Sequence, residues 1–537
     1  MSPPLYCCAQ NQVLAKKSAV LTNKVAVPDI AAAEGPKEQT SISFPFSRPR
    51  PRRARQPLRR SLVVGAVVTG VSAVIVGFTA RFQPAALNAY GQPGAGGEIG
   101  PNIGRAILGG STGLAVLVLL SLALFAIAVT TLAWMLHAWQ SPEHLEATGF
   151  TRSALEPALA FSLLVPARHE EEVLGATLDA LAQLDHPGFE VIAIIGHDDP
   201  GTEAVARAAA ERHPEIVRVV IDHSVPKNKP KAMNTALPVC QGDIVGVFDA
   251  EDEVHPDLLH LVDARFQETG ADVVQGGVQL MNLQSSWWSL RNCLEYYFWF
   301  RSRLHFHANN RFIPLGGNTV FARATVLREV GGWDAECLAE DCELGVRLST
   351  RGAKVVVAYD PEVVTREETP PTLMSLFKQR TRWNQGFLQV LRKGEWRQLP
   401  SMRQRMMARY LLSMPLLQAC TGLMIPISLL LILLVKVPLV VAMITFLPIV
   451  PTVLTMVVET VGLSDFKRMY HVRVRPRDYA RLLLGTFPYQ LFLAGAAVRA
   501  AIRESRGINA WEKTEHLNAH RAAEAPVLAN SAAGVVS

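Results

Sequence analysis

Three acidic clusters and one basic, aromatic pentapeptide follow one another along this chain of 537 residues: Asp198-Asp199, Asp249-Ala250-Glu251-Asp252, Ala339-Glu340-Asp341 and Gln379-Arg380-Thr381-Arg382-Trp383. A hard cation such as Mg²⁺ or Mn²⁺ is held by one or two carboxylates together with phosphate oxygens, where it screens a departing diphosphate. Asp249-Ala250-Glu251-Asp252 suits that task, because residues 249 and 251 of an extended segment project to one side while Asp252 reaches the same place by curling back. The bland alternative is a solvated acidic turn. Asp341 opens a helical run, 342–349, and a carboxylate there can take the proton of an attacking hydroxyl. Equally, Glu340 and Asp341 can simply complement the helix dipole. Lys229-Pro-Lys231-Ala-Met-Asn234 brings paired ammonium groups that could contact a diphosphate, or form an ordinary surface turn. Arg382 offers a guanidinium for phosphate and Trp383 a face on which a sugar ring can stack, the alternative being an anchor at the membrane interface. Each motif is weak alone. Their order suggests transfer of a sugar from a nucleotide diphosphate at a membrane.

The elements that must hold these residues can be read from hydrophobic patterning. From about residue 158 short apolar runs alternate with longer amphipathic ones, the pattern of βαβ units and a parallel sheet. Strands are expected at 161–165, 191–195, 216–221 and 244–248, and helices at 170–184 and 202–212. Ligands of such sheets bind beyond the carboxyl ends of the strands, so one crevice is expected to gather Asp198, Asp199 and Asp249. Leu315-Gly316-Gly317-Asn318-Thr319 reads as a loop that lets backbone approach a ligand, and Gly331-Gly332-Trp333-Asp334 as a turn presenting a second sugar platform. Trp287, Trp288, Tyr296, Tyr297 and Trp299 are expected mainly to pack in a core or at a membrane surface.

The chain as a whole is more apolar than a wholly soluble protein, with 49% hydrophobic residues and a mean hydropathy of +0.18. Residues 1–60 read as a disordered basic cytoplasmic tail, and 61–137 as two transmembrane helices, at 61–80 and within 106–136, joined by a Gly/Pro-rich external loop. The soluble domain spans 150–405. Residues 406–503 hold further apolar runs at 410–435, 437–458 and 482–498, the last short enough to be re-entrant or interfacial, and 504–537 reads as a flexible tail. Gln418, Thr421, Tyr489 and Gln490 are polar positions that could line a passage through such a bundle. The net charge of +6 is concentrated beside apolar segments, notably in the arginines from 48 to 60, so it sets membrane orientation and argues against a nucleic-acid partner. Seven cysteines with no CxxC pair read as free thiols.

Taken together the motifs resemble the inverting family 2 glycosyltransferases, specifically the membrane-embedded branch of cellulose and hyaluronan synthases, over about residues 158–400. The resemblance implies a GT-A fold, that is, a Rossmann-like α/β domain with a mostly parallel sheet, on the cytoplasmic side between transmembrane helices of a multi-pass plasma-membrane protein. Val165-Pro-Ala-Arg-His-Glu-Glu171 is similar to the opening family motif, placing Ala167 and Glu170 near the nucleotide base, with His169 in place of the usual Asn. Asp198-Asp199 would contact the nucleoside and Lys229 the diphosphate. The metal motif appears with Asp249 and either Glu251 or Asp252. The base motif keeps Glu340 and Asp341, with Ala339 in place of Thr. Gln379, Arg382 and Trp383 satisfy QxxRW, Arg382 for the diphosphate and Trp383 for the acceptor. The implied activity is transfer from a nucleotide-sugar donor, a UDP-sugar by family precedent, to a growing polysaccharide. One alternative is addition of a single sugar to a lipid-linked acceptor; another is a non-catalytic receptor or transporter with a degenerate domain.

Overall fold

The structure, a computed structural model, describes residues 111–139, 153, 155–422 and 439–512. The expected tail at 1–60, the first span at 61–80 and residues 423–438 and 513–537 lie outside the described residues.

After helix α1 (Ser111–Leu136) the chain enters a seven-stranded sheet. Its strands are β1 (Phe161–Ala167), β2 (Phe189–Gly196), β3 (Val217–Asp222), β4 (Ile244–Val247), β5 (Val273–Gly276), β7 (Val320–Arg323) and β8 (Val355–Ala358), in the spatial order β3-β2-β1-β4-β7-β5-β8. Every pairing is parallel except those of β7, which runs against both β4 and β5. β6 (Val278–Leu280) and β9 (Thr365–Glu367) form a separate parallel pair. The central strands are continuous apolar runs because both faces are covered. Their alternation sends Leu164, Ile192, Ile194, Val245 and Val247 into one core and Leu163, Val165, Val191, Ala193 and Ile195 into the other. This is the mostly parallel α/β architecture that the sequence pattern implies.

The connecting helices are α2 (Leu174–Ala182), α3 (Pro200–Arg212), α4 (Lys229–Ala236), α5 (Leu258–Thr269), α6 (Trp287–Phe298), α7 (Leu304–Asn309), α8 (Ala324–Val330) and α9 (Glu340–Thr350). A π turn, Trp299–Arg303, joins α6 to α7. The helix expected at 170–184 starts only at Leu174, because Glu170 accepts the N–H groups of Val173 and Leu174 in a preceding turn. Helix α10 (Leu373–Lys393) carries the QxxRW motif and begins at Thr372, whose side chain accepts the Ser375 N–H. It is followed by α11 (Met402–Leu412), α12 (Leu439–Phe446), α13 (Ile449–Met469), α14 (Pro476–Leu484) and α15 (Thr486–Ser505).

Among the described residues two stretches are long and apolar enough to cross a membrane, Val118–Trp139 and Met443–Met469, and α14 with α15 makes a third candidate bent by 48°. The second differs from the expected 437–458: α13 carries Lys467 and Arg468 in its own last turn, where long cationic side chains reach toward headgroups. The apolar run at 482–498, expected to be re-entrant or interfacial, is divided at Gly485. Residues 504–512, expected to be tail, are tied down by Gln385 to the Ile508 carbonyl (2.8 Å), Arg503 to the Ala510 carbonyl (2.8 Å) and Arg499 to Glu512 (2.6 Å). The five described cysteines are free.

Candidate active site

A single cleft of about 1360 Å³ opens at the carboxyl ends of β1, β3 and β4 and continues to the apolar helices. At the sheet end it is lined by Ala167, Glu170, Asp222, Lys229, Asp249 and Glu251; midway by Gly316, Gly317, Glu340, Asp341, Gln379, Arg382 and Trp383; at the far end by Thr131, Trp134, Gln418, Thr421, Glu459 and Gln490. Ten of the thirteen residues read from sequence as site residues therefore share one cavity. Of the polar positions proposed for a passage, Gln418, Thr421 and Gln490 line it, whereas Tyr489 is buried and bonds Glu295 at 3.1 Å.

Lys229 is the first residue of α4, whose Asn228 cap accepts the Lys231 N–H. Its ammonium donates to Asp249 and to the Gly317 carbonyl (2.8 Å). Burial works against the Lys229 charge, yet Asp249, Glu340 and Asp252 outweigh it and hold the group above its ordinary pKa. Glu251 lies beside Asp249 on the wall of the cleft, and burial, reinforced by Asp249 and Glu170, raises its carboxyl well above the usual range.

Asp252, the other candidate for the second carboxylate, turns away from the cleft. It is 0% exposed, accepts the Asp249 N–H at 2.8 Å and receives Asn318 Nδ2 at 3.1 Å, while Asn318 also donates to Glu367. Asp252 thus builds the turn that presents Asp249. The oxygen donors of Asp249 and Glu251 suit Mg²⁺ or Mn²⁺ by hardness and charge. Among the described residues two other groups converge within ligand distance, His169, Glu171, Asp199 and Asp185, Asp257, His260, and neither contains Asp249.

Glu340 and Asp341 occupy the first turn of α9, where Asp341 accepts the Cys342 N–H at 2.7 Å. A Cβ placed on Gly317 would lie 3.2 Å from Asp341 Oδ2 and 3.9 Å from Lys229 Nζ, so base candidate and cation flank the same glycine. Burial, with the neighbouring Asp341 charge, pushes Glu340 up to about 7 against the pull of Lys229 and Arg382. Burial also raises Asp341, opposed by the Cys342 N–H, Lys229 and Arg382.

Helix α10 is locked to this region. The Leu338 N–H donates to Gln389 Oε1 at 2.8 Å, and Gly386 packs so closely on Ala339 that an added Cβ would stand 2.3 Å from the Ala339 Cβ. One turn earlier, Gln379, Arg382 and Trp383 face the cleft. The Arg382 guanidinium lies 4.3 Å from the Trp511 ring centre, and Trp383 is flanked by Arg380 (4.7 Å) and Tyr296 (6.4 Å). Buried Gln379 keeps its Oε1 without a hydrogen-bond partner.

Three sequence expectations change. Asp198 and Asp199 do not line the cleft. Asp198 is an exposed partner of Arg168 (3.0 Å), whereas Asp199 is 2% exposed, caps α3 through the Thr202 N–H and accepts the His169 N–H at 2.6 Å. Those hydrogen bonds overcome burial and lower its pKa. His169, at φ +52, takes a left-handed conformation that Asn and His tolerate, so Asp199 shapes the loop that carries Glu170. Trp333 is no sugar platform: it is 5% exposed, and Asn234 bonds both its N–H (2.9 Å) and its carbonyl (2.7 Å).

Conversely, sequence reading missed Asp222, Arg303 and Trp511. Asp222 ends β3 on the cleft wall, held by Ser224 (2.8 Å) and Thr235 (3.0 Å) and paired with Lys227 at 3.6 Å. The available signal was an acid directly after a run of β-branched residues. Trp511 had only its aromatic type to mark it.

Residues 157–386 match the family model described as "Glycosyltransferase like family 2". Over 230 residues the chain is 31% identical to beta-monoglucosyldiacylglycerol synthase of Synechocystis sp. (strain ATCC 27184 / PCC 6803 / Kazusa), covering 42% of this chain and 47% of that protein. It is 23% identical over 260 residues to poly-beta-1,6-N-acetyl-D-glucosamine synthase of Staphylococcus epidermidis, covering 47% and 59%. A solved mannosyltransferase from Pyrobaculum calidifontis, in complex with GDP-Man and Mn²⁺, aligns at 17% identity and a TM-score of 0.43 over 73% of this chain and 99% of that one. The chain spans about half the length of the curated relatives it matches. Residues 157–386, folded as a mostly parallel GT-A-type α/β domain beside apolar helices, thus form a family 2 glycosyltransferase domain.

Proposed function

We propose that this chain transfers a hexosyl unit from a nucleotide diphosphate sugar, with inversion to a β-linkage, onto an acceptor that arrives from the membrane side. The observation that carries this reading is the continuity of one cleft from Asp249, Lys229 and Arg382, past Asp341, to residues of the apolar helices. Mg²⁺ or Mn²⁺ held by Asp249 and Glu251 would supply positive charge at the leaving diphosphate. Lys229 and Arg382 add fixed charge where negative charge develops. Asp341 takes the acceptor proton as the acceptor oxygen bonds to the anomeric carbon and the bond to the diphosphate breaks. A carboxylate of raised pKa is a stronger base for that step.

Trp383 offers its ring to the acceptor, and Ala167, Glu170 and Asp222 border the nucleoside end. Asp198 and Asp199 act at one remove, by holding the loop between β1 and α2. The apolar stretches at 118–139 and 443–469 support membrane association, and we assign the domain to the cytoplasmic face of a multi-pass plasma-membrane protein.

For the acceptor, a growing polysaccharide and a lipid-linked head group both suit a cleft that reaches the apolar helices. The lipid-linked reading is favoured by an arginine at that end that forms no ion pair, Arg303. The test is a donor screen on purified full-length protein in lipid vesicles, measuring nucleoside diphosphate release with Mg²⁺ or Mn²⁺ and with EDTA, and sizing the product. Metal-dependent release is expected, with one sugar added per acceptor; a ladder of products would restore the polysaccharide reading. Absence of release from every common nucleotide sugar with either metal would remove the transferase assignment.

A further inference from the structure

We propose that Arg303 is the binding site for a phosphate that joins the acceptor's hydroxylated head group to its lipid. This inference rests on the transferase reading of the cleft and adds the chemical class of the acceptor.

The first observation is charge balance. Of the cations lining the cleft, Arg168 pairs with Asp198, Lys227 with Asp222, Lys229 with Asp249, Lys231 with Glu336, Arg291 with Glu459 and Arg380 with Glu295. Among the described lining residues two guanidinium groups form no ion pair within 4 Å, Arg382 beside the proposed base and Arg303 at the membrane end. Arg303 is held by rings instead, its guanidinium carbon 4.0 Å from the centre of Trp134 and 4.9 Å from that of Trp299. Its Nε is buried without a hydrogen-bond partner. Aromatic faces orient a guanidinium but accept few of its five N–H donors. A charge withdrawn from water without a counter-ion is costly, and an anionic ligand removes that cost.

The second observation is position. Trp134 lies in the last turn of α1, inside the candidate span Val118–Trp139, and tryptophan at the end of a span marks headgroup depth. Beyond it the cleft wall is Ile127, Met414 and Leu417, suited to a hydrocarbon chain. In the other direction the rings step from Phe300 to Tyr296 (5.9 Å) and on to Trp383 (6.4 Å), the residue facing the proposed transfer site. Arg303 therefore stands between a surface for the reacting head group and a surface for a lipid tail, where a phosphodiester would fall. A guanidinium binds two phosphate oxygens at once. The reacting group remains a head-group hydroxyl: its oxygen bonds to the anomeric carbon, its proton passes to Asp341, and the nucleoside diphosphate leaves with the bonding pair.

Lipid retention tests this without donor or turnover. Full-length protein is equilibrated with phosphatidylinositol or phosphatidylglycerol, or with the neutral lipids diacylglycerol and glucosyldiacylglycerol, and the lipid kept is counted by native mass spectrometry. Retention of one phosphate-bearing lipid at least tenfold above either neutral lipid is expected, with loss of that preference in Arg303→Gln and its return in Arg303→Lys. Equal retention of neutral and phosphate-bearing lipids by the unaltered protein overturns the proposal, whatever the variants do. Displacement of the lipid by an equal concentration of inorganic phosphate or a nucleoside diphosphate would assign Arg303 to the leaving group and overturn it as well. Retention as expected, together with a failed donor screen, would sink the transferase reading and leave the phosphate site standing.

Discussion

Gly386→Ala should disable the enzyme from a position that touches no substrate. The residue lies inside α10, where exchanging glycine for alanine ordinarily stabilises a helix by about 0.5–1 kcal/mol. Here the new Cβ would stand 2.3 Å from the Ala339 Cβ and 2.5 Å from its backbone nitrogen, whereas ordinary contact begins at 3.4 Å, so the two helices must part by about 1.1 Å. Inserting a methyl into a packed contact costs about 1–3 kcal/mol, which offsets the helix gain and leaves a net loss of up to about 2.5 kcal/mol. The functional loss is larger than that suggests, because α10 carries Arg382 and Trp383 while Ala339 immediately precedes Glu340 and Asp341. A displacement of about 1 Å between reacting groups costs on the order of 100-fold in rate. The assay is kcat/KM for nucleoside diphosphate release beside a thermal melt in the same vesicles. A Gly386→Ala protein that melts no lower than its parent and turns over at the parental rate would refute the packing argument.

Asp341→Asn removes the proposed base while keeping its shape, so kcat should fall about 10²–10⁴-fold with the donor Kd almost unchanged. Turnover within tenfold of the parent would exclude the role. Because burial raises the Asp341 carboxyl and only its ionised form accepts a proton, the parental rate should fall as pH drops through that raised pKa; an acid limb at the ordinary aspartate value would contradict the environment described. Glu251→Gln should raise the Mg²⁺ or Mn²⁺ concentration needed for half activity while the protein still melts cooperatively. Asp252→Asn should instead lower stability by about 1–3 kcal/mol, since it disturbs a buried hydrogen-bonded turn. The reverse pattern in a metal titration and melt would exchange the two assignments.

Much of this site was legible because a parallel sheet announces itself in apolar runs and places its ligands at strand ends. Asp249 and Glu251 follow β4 as that rule requires, and Asp341 opens α9 where its sequence suggested a helix start. Asp199 was read as a nucleoside contact, while its own neighbours carried the signal for the cap seen in the fold: Asp-Pro-Gly-Thr is a helix start with a capping aspartate. Glu251 and Asp252 could not be separated by local pattern, because Asp252 is drawn inward by Asn318 and Glu367, residues remote in sequence. Arg303 was invisible for a related reason. The sequence shows an arginine; only the fold shows that it forms no ion pair. Trp333 looked like a platform until Asn234 was seen to hold its backbone.

The Lys229–Asp249 pair has a consequence for how the protein exists between reaction cycles. Clustered carboxylates repel one another, and some proteins acquire their shape only when a metal arrives to quench that repulsion. This chain brings a counter-ion of its own on the first turn of α4, so the Asp249 carboxylate is paired by a residue of the same chain. If the proposed metal role holds, the divalent ion would be an ingredient of the reaction and not of the architecture, and its removal would leave an idle protein instead of an unfolded one.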